Sequence, residues 1–270
     1  MLMNKLNALK NTIASMQNVT VAVSGGVDSM TLAYVANQTL GSKATMVHAT
    51  SPAVPRCDTE SIQQYADEQG WNLKLIHSGE FDNADYLSNP VNRCYFCKSC
   101  LYNSLVALNL GQVISGTNTD DLGDYRPGLI AAKEHDVRHP FVEADIDKQT
   151  IRDIAAHLGL SQLSVKPASP CLASRVETGV RINPKQLTLI YDIETEVRKL
   201  VSSENIRCRI TSNQIQLQLD APVFEGLSSQ LIDNIEKQME VIATRAQLSA
   251  PVAIAPYVRG SAFLRANSDE

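Results

Sequence analysis

A glycine-rich turn is the first feature of this 270-residue chain that could do chemistry. Residues 19–23 alternate valine with small side chains, which predicts a strand, and a helical pattern begins at about Ser29. Between them lie Ser24, Gly25 and Gly26. Glycine lets the backbone approach a ligand, and the N–H groups at a helix N-terminus bind anions. The turn lacks the lysine of a Walker loop and the third glycine of a dinucleotide loop, yet it predicts a phosphate site.

Cysteines are the second group of residues that could do chemistry. Cys94 and Cys97 have the two-residue gap that lets two thiolates reach one metal ion. A closed zinc site needs more ligands than the sequence supplies, and Cys100 is better interpreted as a small interior residue. Cys171 lies in a proline-rich stretch, where a loop can carry chemistry. This pattern indicates metal or thiol chemistry in a reducing compartment rather than a disulfide scaffold.

Three carboxylates follow the turn at Gly116 and Thr117, directly after another predicted strand. They belong to Asp120, Asp121 and Asp124. Carboxylates crowded in this way suit Mg²⁺ or a network that orients a substrate. A solvated acidic turn that caps the next helix is the alternative interpretation.

The elements that must position these residues alternate along the first part of the chain. Strands separated by helices of this length predict an α/β fold with a doubly wound parallel sheet, whose ligands bind outside the carboxyl ends of the strands. The predicted strands are 19–23, 44–48, 72–77 and 112–115, and the predicted helices are 29–38, 58–69 and 97–108.

A smaller α+β domain is predicted to follow. We expect the first domain to cover residues 1–170, a junction to cover 171–183 and the second domain to cover 184–270, because prolines and glycines interrupt the pattern between them. The predicted elements of the second domain are helix 184–201, strands 207–211 and 214–219, helix 231–244 and strand 252–258.

Composition narrows the class of protein. Hydrophobic residues make up 44% of the chain and charged residues 20%, which is typical of a folded globular protein. The net charge is −5, and residues 1–183 and 184–270 carry −3 and −2, so neither part is a basic nucleic-acid-binding module. No apolar run is long enough to span a bilayer, and the first residues predict an amphipathic helix instead. We therefore expect a cytoplasmic protein with no membrane partner.

Five motifs in chain order resemble those of the LarE family, which belongs to the PP-loop ATP pyrophosphatase superfamily. The resemblance implies the fold of the adenine nucleotide alpha hydrolases. It also implies an ATP-dependent sulfurtransferase that adenylates a carboxylate of pyridinium-3,5-biscarboxylate mononucleotide and converts it to a thiocarboxylate, for the nickel-pincer nucleotide. The motifs are S-G-G-V-D-S at 24–29, T-S-P-A-V-P at 50–55, R-C-Y-F-C-K at 93–98, G-T-N-T-D-D-L-G-D-Y-R-P-G at 116–128 and C-L-A-S-R at 171–175.

The resemblance also implies roles for individual residues. Asp28 would lie near Mg²⁺, and Cys171 would be the catalytic thiol, either as a sacrificial sulfur donor or as a ligand of a [4Fe-4S] cluster with Cys94 and Cys97. The residues expected to bind ATP are Ser24, Gly25, Gly26, Asp28, Ser29, Gly116 and Thr117, and those expected to bind the carboxylate substrate are Asp120, Asp121, Arg175, Arg207 and Arg209.

Two other functions remain open at this point. A tRNA thiolase of the same superfamily would use the same loop and cysteines, but its substrate would demand a basic surface. A nucleotide-sensing or iron–sulfur carrier protein would bind ATP without turning it over. The resemblance further implies a homo-oligomer that acts on a small molecule, with nucleic acid disfavoured as a partner. Arg207 and Arg209 could also be plain surface residues of an edge strand.

Overall fold

The computed structural model describes residues 1–123 and 126–262. The chain forms two compact units, and neither is continuous in sequence. The first unit consists of Met1–Asn83 and Cys94–Ser169, and the second consists of Ala84–Arg93 and the chain from Pro170 onward. Residues 84–93, predicted to lie in the first domain, and residues 171–183, predicted to be a junction, both belong to the second unit. Asp124 lies outside the described residues.

The first unit is built on a parallel sheet, as predicted. The strand order is β3-β2-β1-β4, and each neighbouring pair is parallel. The register places Val19 of β1 beside Ala44 of β2 and beside Gln112 of β4. The strands are β1 (Val19–Ala22), β2 (Ala44–Ala49), β3 (Asn72–Ile76) and β4 (Gln112–Ile114).

Helices account for most of the remaining described residues. The predicted helices 29–38, 58–69, 97–108, 184–201 and 231–244 agree with the observed bounds to within four residues, whereas the helix at Lys148–His157 was not predicted. The helices are α1 (Leu2–Ala14), α2 (Val27–Leu40), α3 (Arg56–Gln69), α4 (Ala84–Leu87), α5 (Arg93–Ala107), α6 (Pro127–Glu134), α7 (Pro140–Glu143), α8 (Lys148–His157), α9 (Ser161–Ser164), α10 (Pro184–Leu200), α11 (Ala221–Glu225) and α12 (Ser229–Arg245). Short 3-10 turns cover Gly41–Lys43, Glu80–Asp82, Thr119–Gly123 and Leu172–Arg175.

The sheet of the first unit is covered on both faces. Met46 and Ile114 belong to one apolar cluster, to which α1, α2 and α8 contribute. Val47 and Val113, whose side chains point to the opposite face, belong to a second cluster with side chains of α5 and α6. Strands that are buried on both faces have nearly continuous apolar sequences. The central strands could therefore be predicted from the sequence.

The second unit contains the predicted α+β arrangement. Its strands are β5 (Ile206–Ile210), β6 (Ile215–Leu219) and β7 (Val252–Pro256), with β6 in the middle, antiparallel to β5 and parallel to β7. Helix α10 begins at a capping box, in which the Asn183 side chain accepts from the Gln186 N–H and the Gln186 side chain accepts from the Asn183 N–H. In the part of the chain that the structure describes, no helix has the length and apolar character needed to cross a membrane.

Candidate functional site

The glycine loop lies at the carboxyl end of β1, where parallel α/β sheets bind ligands. Gly25 has φ +80°, a conformation that favours glycine, and Gly26 is the N-cap residue of α2. The Ser29 hydroxyl accepts from the Ser24 N–H at 3.0 Å and donates to the Gly26 carbonyl at 3.2 Å. Because the serine side chains brace the turn, the first N–H groups of α2 are held in a fixed array suited to an anion.

Asp28 lies in the first turn of α2 and is paired with a lysine. The Lys148 ammonium, at the start of α8, donates to both carboxylate oxygens of Asp28 at 2.7 and 2.6 Å. Burial raises the pKa of the Asp28 carboxyl above its ordinary value of 3.8, and the contact with Lys148 opposes that rise. The negative charge of Asp121 adds to the increase. The structure thus collects acidic and basic groups beside the glycine loop.

A second lysine contacts the glycine loop from another direction. The Lys166 ammonium donates to the Gly25 carbonyl at 2.9 Å and to the Asp58 carboxylate at 3.1 Å. Asp58 lies in the first turn of α3 and is buried. The Ser169 hydroxyl donates to the other Asp58 oxygen at 3.4 Å. The glycine loop is therefore connected to the segment that ends the first unit.

Gly116 follows β4 and lies against the start of α2. A Cβ atom at Gly116 would come within 2.8 Å of the Ser29 nitrogen and 2.9 Å of the Asp28 carbonyl carbon, so only glycine fits. The Ser115 hydroxyl lies 3.2 Å from the Thr117 hydroxyl and 2.9 Å from Nδ1 of His139. The structure thus brings the turn after β4 next to the glycine loop.

The acidic turn after β4 makes backbone and ion-pair contacts. The Asp121 carboxylate accepts from the Asn118 N–H at 3.1 Å and pairs with Arg126 at 2.9 Å. The Asp120 carboxylate accepts from the Lys148 N–H at 3.2 Å, at the first residue of α8. The Asp120 contact thus joins the acidic turn to the start of α8, and the negative charge of Asp121 acts on Asp28.

The predicted cluster cysteines are divided between the two units. Cys94 and Cys97 belong to the first unit and lie one turn apart on α5, with Cys94 exposed and Cys97 half-buried. The Asn83 amide donates to the Cys100 sulfur at 3.7 Å, and burial raises the pKa of the Cys100 thiol. Cys171 belongs to the second unit and is exposed. Within the described residues, no three His, Cys, Asp or Glu side chains are grouped as metal ligands are.

Arg175 has a buried position inside the second unit. Its guanidinium makes two parallel hydrogen bonds to the Glu194 carboxylate, Nε to Oε1 at 3.0 Å and the second at 3.2 Å. It also donates to the carbonyl groups of Pro170 and Cys171. The arginine therefore holds the backbone at Cys171 in place, a role that the sequence analysis did not assign to it.

Arg207 and Arg209 alternate along β5, an edge strand, as predicted, with Arg207 half-buried and Arg209 buried. Arg209 is 5% exposed, and its guanidinium donates to the Gln218 side chain at 2.7 Å and to the Val258 carbonyl at 3.2 Å. Burial lowers the pKa of both guanidinium groups, and the positive charge of Arg175 lowers both further. A bound anion would compensate these partly buried positive charges and would itself be stabilised by them.

Three residues at the glycine loop were missed by the sequence analysis: Asp58, Lys148 and Lys166. Lys148 follows Asp147, which N-caps α8, so this lysine sits at a helix start where acidic residues are the usual choice. That unfavourable placement was the available signal. Nothing local in the sequence marks Asp58 or Lys166, since their partners are more than one hundred residues away.

A glycine loop at the carboxyl edge of a helix-covered parallel sheet defines a Rossmann-like α/β protein. No protein-family model matches the chain. The chain is 39% identical over 223 residues to "Uncharacterized protein slr1717" of Synechocystis sp., covering 81% of this chain and 82% of the relative. It belongs to the same family as that protein.

Two more distant relatives were found. "Uncharacterized protein MJ0830" of Methanocaldococcus jannaschii is 28% identical over 225 residues, covering 81% of this chain and 85% of the relative. "Pyridinium-3,5-bisthiocarboxylic acid mononucleotide synthase" of Lactiplantibacillus plantarum is 28% identical over 250 residues, covering 90% of this chain and 89% of the relative. The similarity in each case spans both units.

Proposed function

We propose that this chain is a PP-loop ATP-dependent sulfurtransferase that converts a carboxylate of pyridinium-3,5-biscarboxylate mononucleotide to a thiocarboxylate, in nickel-pincer nucleotide biosynthesis. The observation that carries the proposal is the similarity to the Lactiplantibacillus plantarum synthase over 90% of the chain. The braced glycine loop beside Asp28 supports it, because such a loop suits the phosphates of ATP.

In the proposed mechanism, the loop N–H groups bind the phosphates that leave as pyrophosphate. A carboxylate oxygen of the substrate attacks the α-phosphorus of ATP. The bond between the α-phosphorus and the oxygen that bridges it to the β-phosphate breaks, and pyrophosphate leaves. The product is an acyl adenylate, in which the carboxylate has gained AMP as a leaving group. A sulfur nucleophile then attacks the acyl carbon and displaces AMP, which leaves the thiocarboxylate.

Mg²⁺ would neutralise the phosphates in this reaction, and the residues at the loop fit it. Asp28 and Asp121 offer carboxylate oxygens, the ligands that Mg²⁺ prefers. Lys148 donates to both Asp28 oxygens, so it must move away from at least one of them when a metal ion binds there. The ammonium would then be available to contact a phosphate.

The second unit would bind the substrate's own phosphate through Arg207 and Arg209. Their partial burial supports this role, since an arginine bonds a phosphate more strongly where water is scarce. Arg175, already paired with Glu194, would contribute positive charge and hold the backbone at Cys171. Asp120 and Asp121 would orient the substrate only if their present contacts are exchanged.

Sulfur delivery would use the cysteines. Cys94, Cys97 and Cys171 are the thiolates that would hold a [4Fe-4S] cluster, a proposal supported by the spacing of the first two, one turn apart on α5, and by the exposure of Cys171. When bound, such a cluster would supply the sulfide for transfer. Without a cluster, the Cys171 thiolate itself would displace AMP and form a thioester. Loss of the Cys171 Cα proton and cleavage of its Cβ–S bond would then release the thiocarboxylate and leave dehydroalanine after one turnover.

The adenylation step is tested by incubating the protein with MgATP and the pyridinium dicarboxylate mononucleotide. We expect AMP and pyrophosphate in equal amounts. Asp28→Asn should abolish both, whereas Asp67→Asn, an exposed carboxylate on α3, should retain activity. Tight ATP binding without turnover would instead support a nucleotide sensor, and turnover that depends on tRNA would support the thiolase.

The sulfur source is tested by purifying the protein without oxygen and assaying iron and acid-labile sulfide. A cluster predicts about four irons per chain, with loss of iron in Cys94→Ala. Cys100→Ala, on the same helix, is the matched control and should keep its iron. Protein without iron would favour Cys171 as a sacrificial donor, which mass spectrometry would detect as dehydroalanine.

A further inference from the structure

The Lys166 side chain contacts the glycine loop at a backbone carbonyl group. Its ammonium donates to the Gly25 carbonyl and to the Asp58 carboxylate, with Lys166 28% and Asp58 10% exposed at their side chains. Holding a long lysine side chain in one position costs rotamer entropy, so two simultaneous contacts define a specific position.

The segment that carries Lys166 is itself anchored. An Arg152 guanidinium nitrogen donates to the Lys166 carbonyl at 3.0 Å, and the same side chain donates to the Ser164 carbonyl. The Ser169 hydroxyl donates to Asp58. The contact between Lys166 and the loop therefore joins two fixed parts of the first unit.

The two glycines of the loop have different surroundings. A Cβ atom at Gly25 would lie 3.4 Å from Asp58 Cβ and 3.5 Å from Ile62 Cδ1, so this residue packs against α3. A Cβ atom at Gly26 would meet only Ser24 Oγ within 4 Å, at 3.7 Å. Lys166 thus acts where the loop is packed, and open space lies beside Gly26.

The orientation of the peptide group between the two glycines depends on such a contact. A trans peptide is planar, so its C=O and N–H groups point in opposite directions. A carbonyl fixed toward Lys166 directs the Gly26 N–H away from that lysine. Two consecutive glycines would otherwise let this peptide rotate easily, because neither residue has a Cβ that restricts φ and ψ.

We infer that Lys166 is a positioning residue, which orients the Gly25–Gly26 peptide so that its N–H donates to a phosphate of the bound nucleotide. Lys166 acts through the backbone and does not contact the phosphates. The inference rests on the proposed function, since it needs a phosphate ligand in the loop.

The test compares Lys166→Met, which keeps the apolar stem, with Lys166→Arg, which keeps the donors. Calorimetry with magnesium pyrophosphate and with MgATP should show binding about 10- to 100-fold weaker for the Met variant. The Arg variant should stay within about threefold of wild type. Amide hydrogen exchange in the ligand-free Met variant should be faster across residues 24–29.

Lys5→Met is the matched control. The Lys5 ammonium also donates to a carbonyl and a carboxylate, both of Asp145, at 2.6 and 2.7 Å, and its side chain is 31% exposed. Its ligand binding should equal that of wild type. Equal binding by Lys166→Met, or an Arg variant as weak as the Met variant, would overturn the inference. A wild-type protein that binds neither ligand would overturn the proposed function itself.

Discussion

His48 is a buried residue whose protonation state is set by its two hydrogen bonds. Its Nδ1 lies 2.9 Å from the Val23 carbonyl, so this nitrogen carries the proton, and Nε2 accepts from the Thr59 hydroxyl at 2.9 Å. Burial lowers the pKa of the imidazole below its ordinary value of 6.5, although the negative charge of Asp58 opposes the shift. Both ring nitrogens are therefore occupied by hydrogen bonds within the first unit.

This histidine predicts a loss of stability in acid. The unfolded chain binds a proton near the ordinary imidazole pKa of 6.5, whereas the folded chain binds it only at lower pH. The full free energy of unfolding is therefore present above pH 6.5, and it falls as the pH drops through the folded pKa. Between about pH 7.5 and pH 5.5, His48→Gln should lose less of its free energy of unfolding than wild type does. Urea denaturation at the two pH values measures the difference, and equal losses would contradict the assignment.

Single residues at the loop were only partly predictable. Ser24, Gly25 and Asp28 were recognisable because their spacing is local and lies between a strand and a helix. Lys166 was not, since its partner Gly25 is 141 positions away and tertiary packing alone joins them. Arg175 was assigned to substrate by resemblance, and its bonds to Glu194 show a structural duty that no spacing rule reveals.

At the level of elements, the approach of the β4 turn to α2 decides whether the loop can form. Gly116→Ala would place a methyl group against backbone atoms of α2, which cannot yield as a flexible side chain can. We expect a loss of about 1–3 kcal/mol in stability, together with weaker ATP binding. Gly123→Ala is the control, because a Cβ there meets no described atom within 4 Å.

The fluorescence of Trp71 measures this change in the first unit. It is the single tryptophan of the chain and is 8% exposed in the folded protein. A Gly116→Ala variant with the unfolding midpoint and the ATP affinity of Gly123→Ala would show that the turn can move away from α2.

In the second unit, the pair of Arg175 with Glu194 joins a 3-10 turn to α10. Both side chains are less than a tenth exposed, and the Glu194 carboxylate also accepts from the Cys208 N–H at 3.0 Å. Glu194→Gln leaves a buried guanidinium without its counter-charge and should cost about 3–5 kcal/mol.

The control for that prediction is Glu196→Gln. Glu196 lies on the same helix, is 45% exposed and pairs with Lys199, so its loss should cost less than about 1 kcal/mol. Circular dichroism during chemical denaturation compares the two variants. Equal destabilisation would show that the buried pair contributes no more than a surface pair.

The elements were more predictable than the contacts between them. The short strand patterns and the apolar spacing of α1 are local, and the parallel sheet was predicted from the alternation of strands with helices. The place of residues 84–93 was not predictable, because Asn89 bonds to backbone carbonyls near residue 177, nearly ninety positions away.

Across the whole molecule, the residues proposed for the two half-reactions lie in different units. The glycine loop belongs to the first unit, and Cys171 belongs to the second. Cys171→Ala should therefore keep the release of pyrophosphate, with AMP retained in the acyl adenylate, and lose the thiocarboxylate product. Parallel assays of pyrophosphate and of product mass separate the steps, and loss of both would mean that Cys171 is also needed for adenylation.

The interrupted order of the two units has a consequence for biosynthesis. The ribosome synthesises Ala84–Arg93 long before it synthesises the chain from Pro170, which belongs to the same unit as that segment. Until then, the Asn89 amide lacks the carbonyl groups of Val176, Glu177 and Val180, and Arg93 lacks that of Ala173. A fragment that stops at residue 169 would present this segment permanently without its partners, and co-expression of the missing part would be required to restore it.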